Sequence, residues 1–219
     1  MLFRSLPAKP TYHEQSLTDR VRRSLSWIER ANSASPADTP TRFLELWIAL
    51  NALYGCSRYE QISVSKEQDD FRHFMSQLKK LDASTHDLLP LMKRVGSATA
   101  KRLVKNKYLW KDFWREDKAA CERKAEAAWV KLGESLDKED SVTFFLCLFD
   151  RLYVLRNQIA HGSTSVTTTK NQDALGPGLH VLELALPVFL RKMIRHGGGE
   201  DWTEIPYPGN NTPQHRRLR

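Results

Sequence analysis

An all-α bundle is the fold this 219-residue sequence predicts, and three observations carry it. Apolar residues recur at three- and four-residue steps along most of the chain, the period of a helix with one buried face. Alternating apolar and polar runs, the mark of a half-buried strand, are poor throughout. The breaks between apolar stretches carry Pro, Gly and Ser, as at Ser33-Ala34-Ser35-Pro36.

Taken in order, Leu17, Val21, Leu25 and Ile28 recur at three- and four-residue steps and predict a first amphipathic helix over about 16–32. Thr39 or Thr41 is placed to cap a second helix that ends at Gly55 and is apolar over most of its circumference, which predicts a central position. Phe71, Phe74, Leu78 and Leu81 share a face of a third helix. Shorter pieces are expected over 84–95 and 97–105, with Pro90 and Gly96 as irregularities. An Ala/Lys/Glu-rich helix follows at roughly 116–136, weakened near its end by Gly133. Asp140 or Ser141 opens an apolar helix through Val142, Phe145, Leu146, Phe149, Leu152, Tyr153 and Arg156. Ser163 to Thr169 reads as a loop. A last helix spans about 172–195, with Pro187 predicting a kink or restart. From Gly197 onward glycines, prolines and Arg216, Arg217 and Arg219 predict a flexible basic tail. The domain division is therefore 1–196 and 197–219.

Composition narrows the function classes. A hydrophobic share of 41% with 10% aromatics supports a real core and argues against disorder of the whole chain. The longest fully apolar stretches are short, Leu46 to Leu50 and Phe144 to Phe149 among them, well below the roughly 20 residues of a membrane span. Met1 to Pro10 has no apolar h-region and no small-residue cleavage site, so no signal peptide is expected. Three cysteines, odd in number and widely separated, predict free thiols in a reducing cytoplasm, with no disulfide framework and no zinc site. On that reading the Asn210-Asn211-Thr212 sequon carries no meaning. The net charge is +8, and residues 93–124 concentrate it: eleven Lys and Arg against four acids. Such clustering supplies sequence-independent attraction to a phosphate backbone, or else forms a solvated helical face.

The residues most suited to chemistry are Arg156 and His161, in Arg156-Asn157-Gln158-Ile159-Ala160-His161-Gly162. Arg offers a permanent cation with a planar fork of donors suited to phosphate, and His a proton carrier near neutrality. Five helical positions place the two about 140° apart, so they cannot share a face of a regular helix. Gly162 suits a helix exit, which puts His161 on the last turn or just beyond. Spacing alone favours a helix-end cap and salt-bridge arrangement over catalysis, because both cations interact favourably with a helix C-terminus. Other histidines read as surface residues (His73, His86), as packed (His180), or as tail (His196, His215). No His-Glu-x-x-His spacing, phosphate loop or Gly-x-Ser-x-Gly elbow occurs.

The string Leu155 to Gly162 resembles the signature of HEPN domains, helical bundles marked by Arg, four to six residues, then His. Phe43-Leu44-Glu45-Leu46-Trp47-Ile48-Ala49-Leu50-Asn51-Ala52-Leu53-Tyr54 is similar to the "LWIAFNALY" helix of one bacterial branch. The two segments lie in the expected order on two helices. The resemblance implies an antiparallel HEPN-like bundle in which 84–136 is a basic helical insertion or elaboration. It also implies a cytoplasmic, metal-independent endoribonuclease of a toxin–antitoxin or antiviral system. Such a protein needs no cofactor, takes RNA as substrate, and works as a homodimer whose motifs face one another, with an antitoxin or defence-system partner and no membrane. Arg156 and His161 are then catalytic and Asn157 supporting or substrate-binding; Asn51, polar on an otherwise apolar helix, is either satisfied by packing partners or lines the site in the same supporting role. Two alternatives stay open: a non-catalytic helical interaction module, and a nucleic-acid-binding module that uses 93–124 without cleavage. Arg156 paired with a buried acid and an enclosed His161 would favour the first of these.

Overall fold

The computed structural model describes residues 12–56, 64–162, 169–202 and 205. Among them the chain is entirely helix and short connections: α1 Tyr12–Ser33, α2 Thr39–Tyr54, α3 Val64–Asp82, α4 Leu88–Val104, α5 Lys111–Trp114, α6 Lys118–Asp137, α7 Ser141–Ala160 and α8 Thr169–His196. Two 3-10 turns, Lys107–Leu109 and Gly197–Gly199, complete the path. The all-α expectation holds. Of the expected loop at Ser163 to Thr169, residues 163–168 lie outside the described residues, as do 206–219 of the tail, and Thr169 is already helical.

Local sequence sets the helix ends. Asp38, rather than Thr39 or Thr41, caps α2 by accepting from the Thr41 amide at 3.2 Å, and Pro40 fits the first turn, where its missing N–H has no intrahelical acceptor. Asp117 and Asp140 cap α6 and α7 in the same way. Gly96 breaks α4 with φ +74°, where the sequence placed an irregularity. Gly133 does not end α6, which runs on to Asp137, and α8 continues through Pro177 and Pro187 without a break.

The core is organised around α7 and α8. Helix α7 packs against α2, α3, α4, α6 and α8, and α8 against α1, α2, α3 and α4. Aromatic rings bind α2, α3 and α7 together. Trp47 stacks on Phe149 at 5.2 Å, Phe149 on Phe71 at 4.0 Å, and Tyr54 meets Phe71 edge-on at 5.4 Å. Each such buried ring contributes about 1.5–3 kcal/mol through area removed from water. This rigid block carries the residues of interest. The basic 84–136 region is integral to the bundle, because Leu88, Leu91, Met92, Val95, Leu103, Val104 and Leu109 lie in the same core.

Helix α1 corrects a sequence expectation. Its apolar stripe is not its buried face: Leu17, Val21 and Ile28 are half-buried, Leu25 is 47% exposed, and the stripe lines a groove beside Ile194 of α8. The buried face is Ser16, Arg20, Ser24 and Ala31. The reason is Arg20, fully buried, whose Nη1 donates to the carbonyls of Leu53 at 3.0 Å and Gly55 at 2.9 Å. Carbonyls at a helix end have no intrahelical partner, and a guanidinium satisfies them while complementing the helix dipole.

The C-terminal boundary also differs from expectation. Gly197 to Trp202 is packed rather than loose: Trp202 is buried against Phe74, its indole N–H donates to the Gly197 carbonyl at 2.8 Å, and Ile205 is buried too. A Cβ on Gly197 would stand 2.8 Å from the Trp202 ring, so the glycine is what lets the indole close over the end of α8. His180, expected to be packed, is exposed. Asp173–Gly199 is long and apolar enough for a membrane span by composition, with 67% of its most apolar window buried inside the protein. Most of its apolar residues pack into the core, while Ile194 is 57% exposed.

Candidate functional site

Helix α7 presents the motif at its C-terminal end. His161 is the C-cap residue; its backbone N–H donates to the Asn157 carbonyl at 3.0 Å, and Gly162 follows at φ +63° with its N–H on the Ile159 carbonyl at 3.1 Å. A left-handed residue at this position is how helices commonly stop, and glycine adopts it without strain. The placement of His161 at the helix exit, read from Gly162, is as the sequence predicts.

Arg156 is held from three sides. Its guanidinium carbon lies 5.6 Å from the centroid of Trp47 and 5.3 Å from that of Tyr153, so two ring faces receive the cation. Its Nη1 donates to Asn157 Oδ1 at 2.8 Å. Its Nη2 stands 3.6 Å from Glu67 Oε1, too long for a hydrogen bond, and the two side chains are 25% and 19% exposed. An ion pair of that length at partly wetted groups is weak, about 1 kcal/mol or less.

Glu67 in turn ties the site to α2. The Tyr54 phenol donates to Glu67 Oε1 at 3.0 Å and also hydrogen-bonds Asn51 Oδ1. Burial, then the adjacent Glu67 charge and its hydrogen bond, push the Tyr54 pKa well above the ordinary phenol value. The hydroxyl therefore stays a donor at every physiological pH. The chain Asn51–Tyr54–Glu67–Arg156–Asn157 brings three of the four nominated residues into one network spanning α2, α3 and α7. Asn51, half-buried, meets Arg156 only through Tyr54 and Glu67.

His161 is not in that network. It is exposed, and its imidazole has no partner among the described residues. The roughly 140° offset between Arg156 and His161 is visible in what each flank of α7 touches. On the Arg156 side lie Trp47 and Glu67. On the other, Gln158 Nε2 donates to the Tyr108 carbonyl at 2.7 Å and Arg151 Nη1 to the Leu109 carbonyl at 2.8 Å, while the Arg151 guanidinium stacks 3.6 Å over Trp110. At about 100° per residue His161 falls within about 60° of Gln158. One chain thus presents the cation and the imidazole on different flanks. Neither of the two conditions that would favour a purely structural motif is met: Glu67, the acid beside Arg156, is itself partly exposed, and His161 is exposed.

Sequence reasoning left out Glu67 and Gln158 and read Trp47, Tyr54 and Tyr153 as core alone. Tyr54 carried a local signal, three residues after Asn51 on one helix. Glu67 carried none, because its partners come from α2 and α7. A cleft of about 230 Å³ next to Tyr153 is lined by Gln68, Trp110, Lys111, Asp150 and Arg151. Burial raises the Asp150 pKa from its ordinary value, against the opposing charge of Arg151 and a hydrogen bond from Gln68 at 2.7 Å. Among the described residues no three His, Cys, Asp or Glu side chains converge as a metal-ligand set. All three cysteines are free thiols. Compared with models of known protein families, with curated proteins and with solved structures, the chain matches none.

Proposed function

We propose that this chain is a HEPN-like, metal-independent endoribonuclease of a bacterial toxin–antitoxin or antiviral system, active in the cytoplasm as a homodimer with a composite site. The observation that carries the reading is the state of the motif itself: an exposed His161 at the exit of α7, with a quarter-exposed Arg156 oriented by two aromatic faces and Asn157. A purely structural Arg would be expected in a short, enclosed ion pair, and the 3.6 Å approach to Glu67 is one that a phosphate can displace.

The chemistry follows from those groups. The 2′-hydroxyl of a ribose attacks the adjacent phosphorus; its oxygen–phosphorus bond forms as the bond to the 5′-oxygen breaks. The products are a 2′,3′-cyclic phosphate and a free 5′-hydroxyl. One His161 takes the 2′ proton, and a protonated imidazole delivers a proton to the departing 5′-oxygen. Arg156 holds the phosphate bidentately and offsets the charge that grows on it. The flank separation on α7 supports a second copy as the source of the complementary group.

The test is cleavage of end-labelled RNA in EDTA by the wild type, Arg156→Ala and His161→Ala. Both variants are expected to lose cleavage while keeping helicity and dimer mass. Full activity in both would sink the reading. Intact RNA with every protein, alongside binding that weakens steeply with salt, would support the nucleic-acid-binding module instead.

A further inference from the structure

The turn clamped by Gln158 carries an aromatic wedge that the site above does not use. Tyr108, Phe113 and Trp114 touch one another at centroid distances of 5.1, 5.4 and 6.1 Å. Trp114 is nonetheless 49% exposed, one of few large apolar side chains left open to water. It is also immobilised, because its Nε1–H donates to the Tyr108 carbonyl at 3.0 Å, the same oxygen that receives Gln158. An exposed ring fixed by its own polar atom gives up little conformational freedom when a flat ligand stacks on it.

The surroundings are cationic. Lys107 sits 5.3 and 5.5 Å over the Tyr108 and Phe113 rings, and Lys111 and Arg115 are exposed on either side of Phe113 and Trp114. Of the acids nearby, Asp112 receives Lys124 at 2.7 Å and Asp117 accepts from the Ala120 amide at 2.9 Å, whereas Glu116 is exposed. Gln158, 8% exposed, keeps a buried Oε1 with no partner among the described residues, an acceptor at the foot of the wedge. Gln158 is also the residue on the His161 flank of α7, roughly 200° around the helix from Arg156.

We propose that Tyr108, Phe113 and Trp114, with Lys107, Lys111 and Arg115, form a stacking subsite for an unpaired base of single-stranded RNA, which leads the strand past Gln158 to His161. This rests on the RNA substrate class proposed above and adds where the strand runs. Aromatic faces accept any base, and lysines interleaved with them hold the backbone, the combination by which proteins grip unpaired strands.

The experiment uses the full chain carrying His161→Ala, so that cleavage does not intervene, and a fluorescein-labelled 12-nucleotide single-stranded RNA of mixed sequence. Anisotropy titrations at several salt concentrations compare this parent with added Trp114→Ala or Trp114→Phe. Trp114→Ala is expected to bind roughly 5- to 150-fold more weakly, with an unchanged salt slope because no charge is removed. Trp114→Phe should retain most of the affinity, and RNA should quench indole emission less in it than in the parent. Circular dichroism establishes that each variant is folded. The quenching comparison decides the matter if Trp114→Ala is not. Affinity within twofold of the parent for Trp114→Ala, equal loss with Phe and Ala, or no RNA binding by the parent would overturn the subsite. So would a change in oligomer mass with RNA affinity intact, which would mark the wedge as a contact between copies. The two proposals fail separately. RNA held through Trp114 but never cut by the wild type removes the ribonuclease and leaves the subsite, whereas cutting with a dispensable Trp114 does the reverse.

Discussion

Glu67 Oε1 stands 3.0 Å from the Tyr54 hydroxyl and 3.6 Å from Arg156 Nη2, so one carboxylate oxygen faces a neutral donor from α2 and a cation from α7. The shorter contact is the firmer one. It is a hydrogen bond from a buried phenol to an ionised acceptor, whereas the longer one is a wetted ion pair.

Tyr54→Phe should therefore destabilise the protein by about 1–2 kcal/mol in urea unfolding, since it removes the one hydroxyl that Glu67 and Asn51 share. Glu67→Gln should cost less, about 1 kcal/mol or below, because its amide oxygen still accepts from the Tyr54 hydroxyl and only the partly exposed ion pair with Arg156 is lost. The double variant should fall short of additivity, as the two residues share one bond. Strict additivity would mean that the bond is not formed in solution.

Arg156→Lys separates charge from shape. Lysine keeps the cation but loses the planar fork that addresses Asn157 and a phosphate together. On the ribonuclease reading its cleavage rate should fall roughly tenfold or more with little change in thermal midpoint. Retained activity would assign Arg156 a purely electrostatic part.

Asp150 gives a pH signature. Burial raises its folded pKa above the unfolded value of about 3.9, so folding favours the protonated form. Keeping it ionised costs stability above the folded pKa, and that cost disappears as pH falls toward and below the unfolded one. Asp150→Asn, which preserves the oxygen that accepts from Gln68, should stabilise the protein at pH 7, with the gain vanishing near pH 4. Paired denaturation curves across that window would show it. A gain that grows in acid would contradict the assignment.

Two helical glycines should respond oppositely to alanine. Nothing lies within 4 Å of a Cβ built on Gly133, so Gly133→Ala should add about 0.5–1 kcal/mol of helix propensity. A Cβ on Gly178 meets Leu152 and Phe43 at 3.1 Å and Leu155 at 3.2 Å, where α8 crosses α7 and α2. Gly178→Ala should show no such gain and a lower thermal midpoint than Gly133→Ala. Equal midpoints would mean that the crossing has room to spare.

By itself the sequence determined what depends on neighbours along the chain: the helices, the exit of α7 at Gly162, the break at Gly96, and the Arg156–His161 pair with its angular offset. These are readable because helix periodicity, capping and glycine's left-handed conformation act within a few residues. The α1 face was misread for the same reason. Its apolar spacing is locally sound, yet only the position of the α2 carbonyls makes Arg20 the inward residue. Tertiary structure alone decided that Glu67 stands between Tyr54 and Arg156, that Trp202 closes over Gly197, and that Gln158 fastens the Tyr108 turn to the His161 flank. Each joins helices far apart in the chain, and such pairings are set by how whole faces pack rather than by any local spacing.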